Sequence, residues 1–167
     1  MAILYGMGNY PELHVEKLLD EQVFPVCAPS LLRDGPPLGS VADLARHTFL
    51  LDELADIGGN PPTWAFWAEQ TGQILPHPAR IRRFGQANMV VQAAVQGLGV
   101  ALGRKPLVAD ALTSGALVTP LDGVAVSQFA YWFVCPKGAL NATRLRQFRD
   151  WLFNEATVGN RIGVNVS

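Results

Sequence analysis

Apolar residues along the chain recur in two patterns, short continuous runs and runs with helical spacing. The runs AILYG and FAYWFVCP are short and end at glycine or proline, which predicts buried β-strands. After Asn141, apolar residues recur at helical spacing, which predicts an amphipathic helix with Asn141 as its N-cap. Because strands and helices alternate along the chain, the sequence predicts the α/β fold class with a largely parallel sheet.

Two acidic residues interrupt the apolar pattern near the start of the chain. The runs HVEKLL and QVFPVCAP lie on either side of Asp20 and Glu21. Strand-like runs separated by so few polar residues are typical of a hairpin or of a strand pair with a tight connection.

A helix with two tryptophans is predicted in the segment TWAFWAEQTG. Thr63 is a suitable N-cap, and Gly72 stands where a glycine often ends a helix. Trp64 and Trp67 are three residues apart and therefore share one face. Such a pair is more often part of a core than of a ligand cage, so we expect both rings to be buried.

The segment from Gln86 to Gly97 predicts a helix with few polar side chains. Asn88, Gln92 and Gln96 are spaced by four and lie on one stripe, so we expect protein to enclose the rest of the helix. Its first N–H groups have no helical partners and carry partial positive charge, which favours a carboxylate or another anion. The alternative is that Asn88 only caps the helix.

Charge and hydropathy exclude several classes of protein. The 13 Lys and Arg residues are balanced by 14 Asp and Glu residues, so we expect no DNA binding by this chain alone. Charged residues make up only 16% of the chain, and a surface shared in a homo-oligomer would account for that. No apolar run approaches the ~20 residues of a membrane span, and Met1 begins no secretory signal, which predicts a cytoplasmic protein without membrane contact.

Motifs for catalysis and metal binding are absent from the sequence. Cys27 and Cys135 lie in apolar runs without the Cys or His spacing of a zinc site, so no metal or cofactor is expected. His14, His47 and His77 stand in unrelated contexts, and no nucleophile elbow, zinc-protease motif or phosphate-binding loop is present. The chain is therefore not expected to be an enzyme.

Ordered motifs run from Ala2 to about Ala156. They are AILYGMGNYPELHVEKLLDEQVFPVCAPSLL, VADLARHTFLL, MVVQAAVQGLGVAL, and YWFVCPKG with FRDWL. Together they resemble the effector-binding domain of LysR-type transcriptional regulators, in particular the subgroup of glycine-cleavage and β-lactamase gene activators.

The resemblance implies a fold similar to periplasmic binding proteins, with two α/β lobes joined by two crossover strands. By resemblance, FPVCAP is the first crossover and the region from Leu117 to Val126 holds the second. Residues 29–117 would form a complete second lobe. Residues 1–24 and 128–156 would form a partial first lobe, because the opening strands of that lobe are absent. The winged helix-turn-helix of the family is absent as well. Residues 157–167 lack helix periodicity and are expected to be a tail without regular structure.

The resemblance also implies a ligand site between the lobes. Its residues carried over by position are Gln86, Ala87 and Asn88 from the second lobe and Tyr131 and Met7 from the first. Relatives often have serine or threonine near the start of this helix, so the departure here leaves the identity of the effector open.

The function implied is sensing of a small anionic metabolite or amino-acid-like effector that controls DNA binding by the parent protein. An alternative is a free-standing module that binds a small solute and has no role at DNA. We also expect a homo-oligomer whose contact involves residues 1–24 and the helix from Asn141 to Phe153, since AILYG is expected to be an interior strand whose neighbours precede Met1.

Overall fold

A computed structural model of the chain describes residues 1–53 and 62–161. Its strands are β1 (Ala2–Gly6), β2 (Leu13–Val26), β3 (Thr48–Asp52), β4 (Arg80–Phe84), β5 (Val100–Arg104) and β6 (Ala125–Pro136). Its helices are α1 (Pro29–Asp34), α2 (Trp64–Thr71), α3 (Ala87–Val95), α4 (Lys105–Thr113) and α5 (Thr143–Arg161).

The chain packs as two compact units. Among the described residues, unit 1 contains 1–21 and 127–161, and unit 2 contains 22–126. Two strands, β2 and β6, have residues in both units. The chain therefore passes from one unit to the other within extended segments.

Unit 2 is built on strands in the order β2, β5, β3, β4. β3 runs parallel to β4 and β5, whereas β2 runs antiparallel to β5. Helices α2, α3 and α4 follow β3, β4 and β5 in turn. The α/β class is confirmed. Within unit 2 the expected parallel arrangement holds for β3, β4 and β5, and the long strand β2 is the antiparallel exception.

The core of unit 2 has two clusters of buried side chains. One contains Phe49, Trp64 and Trp67, and the other contains Leu50 and Val90. Neighbouring residues of a strand point to opposite faces of the sheet, so Phe49 and Leu50 belong to different clusters. The expectation that both tryptophans are core residues is confirmed.

The predicted ends of α2 are also confirmed. The Thr63 hydroxyl accepts a hydrogen bond from the Phe66 N–H at 3.1 Å, and Gly72 adopts the left-handed conformation with φ 67°. The Trp67 indole N–H donates to the Gly123 carbonyl at 2.8 Å, which fixes this helix to the segment before β6.

Unit 1 is a smaller assembly of β1, β6, the first part of β2, and α5. β1 runs antiparallel to β6, with Ala2 opposite Val134 and Gly6 opposite Ala130. β1 is the end strand in the order of the sheet. The strand at AILYG is confirmed, but the expectation that it is buried is wrong in this structure, since Ile3 is 50% exposed.

β2 contradicts the hairpin expected around Asp20 and Glu21. It is one continuous strand of 14 residues. Glu21 is fully buried and its carboxylate accepts a hydrogen bond from the Tyr5 hydroxyl. Because this hydrogen bond satisfies the buried carboxylate, Glu21 can occupy a position inside the strand, and the chain does not turn there.

The expected boundaries of the last helix are also wrong. Asn141 belongs to a preceding 3-10 turn, Ala139–Asn141, and the first helical N–H groups, those of Leu145 and Arg146, donate to the Ala142 carbonyl. The helix continues to Arg161, so residues 157–161 are helical rather than part of an irregular tail. Residues 162–167 lie outside the described part of the chain.

An ion pair joins β2 to α5 within unit 1. Arg149 donates to both carboxylate oxygens of Glu16, from Nε at 3.1 Å and from a terminal nitrogen, and His14 Nε2 lies 2.7 Å from Glu16 Oε1. The hydrogen bonds from Arg149 are the largest influence and lower the pKa of Glu16 below its ordinary value of 4.5, although burial opposes them.

Glu16→Gln is expected to lower the free energy of unfolding at pH 7 by about 0.5 to 1 kcal/mol, the range of a partly exposed ion pair. A carboxyl whose pKa is lowered by folding stabilises fully above its unfolded pKa of 4.5 and loses that contribution as pH falls through the folded value. The difference between variant and wild type should therefore shrink below pH 4.5. Urea unfolding of both proteins at several pH values tests this. Glu12→Gln, at an exposed position, is the control. A difference that is the same at all pH values would mean that the charge of Glu16 does not contribute to stability.

Candidate functional site

A pocket of about 190 Å³ lies within unit 2. It is bounded by the carboxyl ends of β3 and β5 and by the first residues of α2, α3 and α4. Most of its lining is apolar: Val26, Leu50, Leu51, Pro62, Trp64, Ala65, Ala87, Val90, Val91, Ala101, Leu102, Leu107 and Val108. Asp52, Thr63, Gly103 and Arg104 complete it.

The order of strands and helices explains the position of this pocket. Because β3 is parallel to β4 and β5, the carboxyl ends of these strands lie at one edge of the sheet. A helix begins after each of them, so the amino ends of α2, α3 and α4 meet at that edge. In open α/β sheets, the carboxyl ends of the strands are the usual position of ligand sites.

The polar groups of the pocket have different surroundings. Asp52 and Arg104 are half-buried, and both already interact with other groups of the protein. Trp64 is only 6% exposed, and its buried indole N–H has no hydrogen-bond acceptor among residues 1–53 and 62–161. A buried donor without an acceptor costs free energy, so an acceptor supplied to this N–H by a ligand would be favourable.

The predicted residues of α3 divide between the pocket and the surface. Ala87 lines the pocket. Gln86 is the N-cap residue, with an exposed side chain that makes no capping hydrogen bond. Asn88 is the second helical residue, and its side-chain oxygen accepts from the Met89 N–H at 2.9 Å. Asn88 is therefore not the N-cap residue, but its side chain does satisfy a first-turn N–H, as the capping alternative expected.

The expectation that protein encloses most of α3 is also wrong. Only Val90, Ala93 and Ala94 are buried, whereas Met89 is 49% exposed. Apolar residues outside the polar stripe thus reach solvent, because α3 contacts the sheet and α4 along one face only.

The other two predicted site residues belong to unit 1. Tyr131 lies on β6 opposite Tyr5 of β1, with ring centroids 5.2 Å apart. Tyr5 also stacks on Phe129 at 5.4 Å and donates its hydroxyl hydrogen bond to Glu21. Met7 lies in the loop after β1 and is 55% exposed. The structure thus places Tyr131 beside Tyr5, which in turn bonds Glu21, and neither Tyr5 nor Glu21 carries a sequence signal for a site.

Neither cysteine has the properties of a reactive thiol. Cys27 and Cys135 are buried, and burial raises the pKa of the Cys27 thiol to about 11. A protonated buried thiol behaves as a small apolar side chain. Within residues 1–53 and 62–161, no three His, Cys, Asp or Glu side chains are grouped as metal ligands. In the same part of the chain, no helix has the length and hydropathy to span a membrane.

Comparison with known proteins identifies the family. The sequence profile of the LysR substrate binding domain matches residues 1–157. The chain belongs to this family. The resemblance noted in the sequence is therefore confirmed.

Curated relatives of this LysR substrate-binding domain are named as regulators of transcription. The glycine cleavage system transcriptional activator of Escherichia coli K12 is 36% identical over 156 residues, covering 93% of this chain and 49% of the relative. The regulator DsdC of the same strain is 30% identical over 155 residues, covering 91% and 49%. The chain spans about half the length of these relatives.

A solved structure supports the same assignment. The effector domain of the transcriptional regulator AmpR of Pseudomonas aeruginosa matches with a TM-score of 0.72 and 26% identity, covering 95% of this chain and 73% of that one. The periplasmic-binding-protein-like fold class and the role of an effector-binding domain are thereby confirmed. The domain is a regulatory binding domain and not an enzyme.

Proposed function

We propose that the chain is the ligand-sensing part of a LysR-type transcriptional regulator, in which a bound small molecule controls DNA binding by the parent protein. The observation that carries the proposal is the family match over residues 1–157. The relatives are named as regulators of transcription, which supports this role and gives no support to a free-standing solute-binding module. Because such a regulator acts on chromosomal DNA, we place the parent protein in the cytoplasm.

We also infer the two-lobe organisation that the resemblance implies. Residues 1–24 and 128–156 would be the partial first lobe, and 29–117 the second. The packing into two compact units supports this division, since the units meet along the chain near the same positions. FPVCAP, which begins in the last part of β2, and the region from Leu117 to Val126, which leads into β6, would then be the two crossovers.

The effector is proposed to be a small carboxylate or amino-acid-like molecule. Its site would include Gln86, Ala87 and Asn88 at the start of α3, with Tyr131 and Met7 from unit 1. The exposed side chains of Gln86 and Asn88 and the partial positive charge at the helix start support an anion there.

Asn88→Leu is expected to weaken binding of such an effector by about tenfold, because one hydrogen bond to a charged group is worth about 1.5 kcal/mol or more. Thermal-shift screening of small carboxylates and amino acids would find the ligand, and calorimetry would measure its affinity. Gln92→Leu is the matched control, since Gln92 is exposed one turn later on the same helix. Equal affinities for wild type and both variants would place the site elsewhere.

A homo-oligomer through residues 1–24 and the helix from Asn141 to Phe153 is also proposed. The exposed side chains of Ile3 on β1 and of Phe148 and Trp151 on α5 support an apolar contact there. DNA binding is proposed for the parent protein and not for this chain, whose charges balance.

Ile3→Lys together with Trp151→Lys should shift a dimer towards monomer in sedimentation velocity at micromolar concentration, because charged side chains are costly in a buried apolar contact. The pair Leu32→Lys and Leu98→Lys, at exposed positions of unit 2, is the control. A monomeric wild type, or a dimer broken only by the control pair, would contradict this contact.

A further inference from the structure

The pocket of unit 2 reaches the core of the protein. Val26 and Val108 are fully buried and Leu50 and Ala101 are 1% exposed, yet all four line the open space. Protein interiors are close-packed, with few voids larger than a water molecule. The pocket of about 190 Å³ is therefore space beside the apolar interior that the side chains of residues 1–53 and 62–161 leave unfilled.

The size and chemistry of this space define what fits it. An apolar cavity of about 150 Å³ stays dry and holds a benzene molecule. The pocket at about 190 Å³ is somewhat larger, which suits one six-membered ring or a branched aliphatic chain. Its deep lining offers only aliphatic side chains and would leave a buried polar group of a ligand without hydrogen bonds.

The rim of the pocket differs from its interior. The first residues of α2 and α3 lie there, and the partial positive charge of a helix start favours a negative charge. At these starts, the Phe66 N–H already donates to Thr63 and the Met89 N–H to Asn88. The buried indole N–H of Trp64 is a further donor without an acceptor among the lining residues. Asp52 and Arg104 also line the pocket, and both already interact within the protein.

Gln86 and Asn88 do not line the pocket, although Ala87 between them does. The polar positions at the start of α3 and the apolar interior thus meet at Ala87. A single ligand can use both only if it carries a polar head and an apolar body.

We propose that this pocket holds the apolar body of a small carboxylic acid, either a single ring or a branched chain, with the carboxylate at the rim beside Ala87. The proposal rests on the ligand-sensing function above and narrows the ligand from carboxylates in general to those with an apolar body. A simple acid and the matching α-amino acid share this chemistry.

Calorimetry with the purified chain tests the proposal. Benzoate, 4-methylpentanoate and leucine have the required body, whereas acetate and glycine lack it. The first group should bind at least about tenfold more tightly, because burial of the body removes apolar surface from water. The relative affinities of 4-methylpentanoate and leucine show whether the natural ligand carries an amino group.

Variants that fill the pocket provide the decisive comparison. Val91→Phe adds a ring to a lining residue, and Val95→Phe makes the same change one turn later on α3, outside the lining. Of these two variants, only Val91→Phe should weaken binding of the acids that have an apolar body, by about tenfold or more. Leu107→Trp adds bulk from α4 at a 41% exposed position and repeats the test if Val91→Phe unfolds the protein.

The two proposals fail in different ways. Binding of acetate or glycine as tight as that of benzoate and leucine, or binding unaffected by Val91→Phe and Leu107→Trp, would overturn the apolar pocket and leave ligand sensing standing. A wild-type chain that binds none of the five compounds and none of the screened carboxylates would contradict both.

Discussion

Trp67→Ala is expected to lower the free energy of unfolding by about 3 to 5 kcal/mol, the range for truncating a buried tryptophan. Trp67 is fully buried, contacts Trp64 edge to face at 5.8 Å, and donates its indole N–H to the Gly123 carbonyl at 2.8 Å. Alanine would leave a cavity in the core of unit 2 and the half-buried Gly123 carbonyl without its donor. Since domains are stable by only about 5 to 15 kcal/mol, a large part of the stability would be lost.

Urea unfolding followed by circular dichroism measures this effect. Trp67→Phe is the matched control, because phenylalanine keeps much of the volume and removes the N–H donor. It should cost about 1 to 3 kcal/mol, from the lost hydrogen bond and from the part of the indole packing that phenylalanine does not replace. If both variants were equally stable, packing of the indole would not be the main contribution of Trp67. The phenylalanine variant also supplies a measurable value if the alanine variant does not fold.

Gly8→Ala should destabilise unit 1 by about 2 to 5 kcal/mol, from a left-handed backbone at about 1 to 2 kcal/mol and from overpacking at about 1 to 3 kcal/mol. Gly8 has φ 78°, and a Cβ atom there would lie 2.4 Å from the Trp132 ring. The ring is held in place by its N–H, which donates to the Gly6 carbonyl at 2.8 Å. Relief of the clash would therefore break this hydrogen bond or displace the loop.

Gly115→Ala separates the two contributions. Gly115 has φ 77°, and a Cβ atom there meets no other atom within 4 Å. Its replacement should cost only the conformational part, about 1 to 2 kcal/mol. Denaturant unfolding of both variants gives the difference, and equal losses at the two positions would mean that the Trp132 ring moves aside without cost.

The sequence predicted the structure correctly where the residues of one segment determine the structure of that segment. Thr63 and Gly72 mark the ends of α2 because capping depends on residues within one turn. The spacing of Trp64 and Trp67 was enough to predict that both are buried. The ordered motifs added the family and the fold class, which no single helix or strand specifies.

Contacts between distant segments explain what the sequence did not show. Glu21 resembles a turn residue until Tyr5, which is 16 residues earlier, is placed beside it. The exposure of Met89 depends on how much of α3 the sheet and α4 cover. The pocket is lined by Val26, Leu50 and Val108, from three separate segments, so it exists only after the strands have assembled.

The two terminal strands of the sheet differ in charge. β4 ends the strand order in unit 2 and carries the exposed Arg80, Arg82 and Arg83, whereas β1 at the other end has no charged residue. Lysine or arginine on an edge strand opposes addition of a further strand, and an uncharged edge permits it. A fibril needs growth at both edges, so strand addition to this chain would stop once two copies had joined through β1.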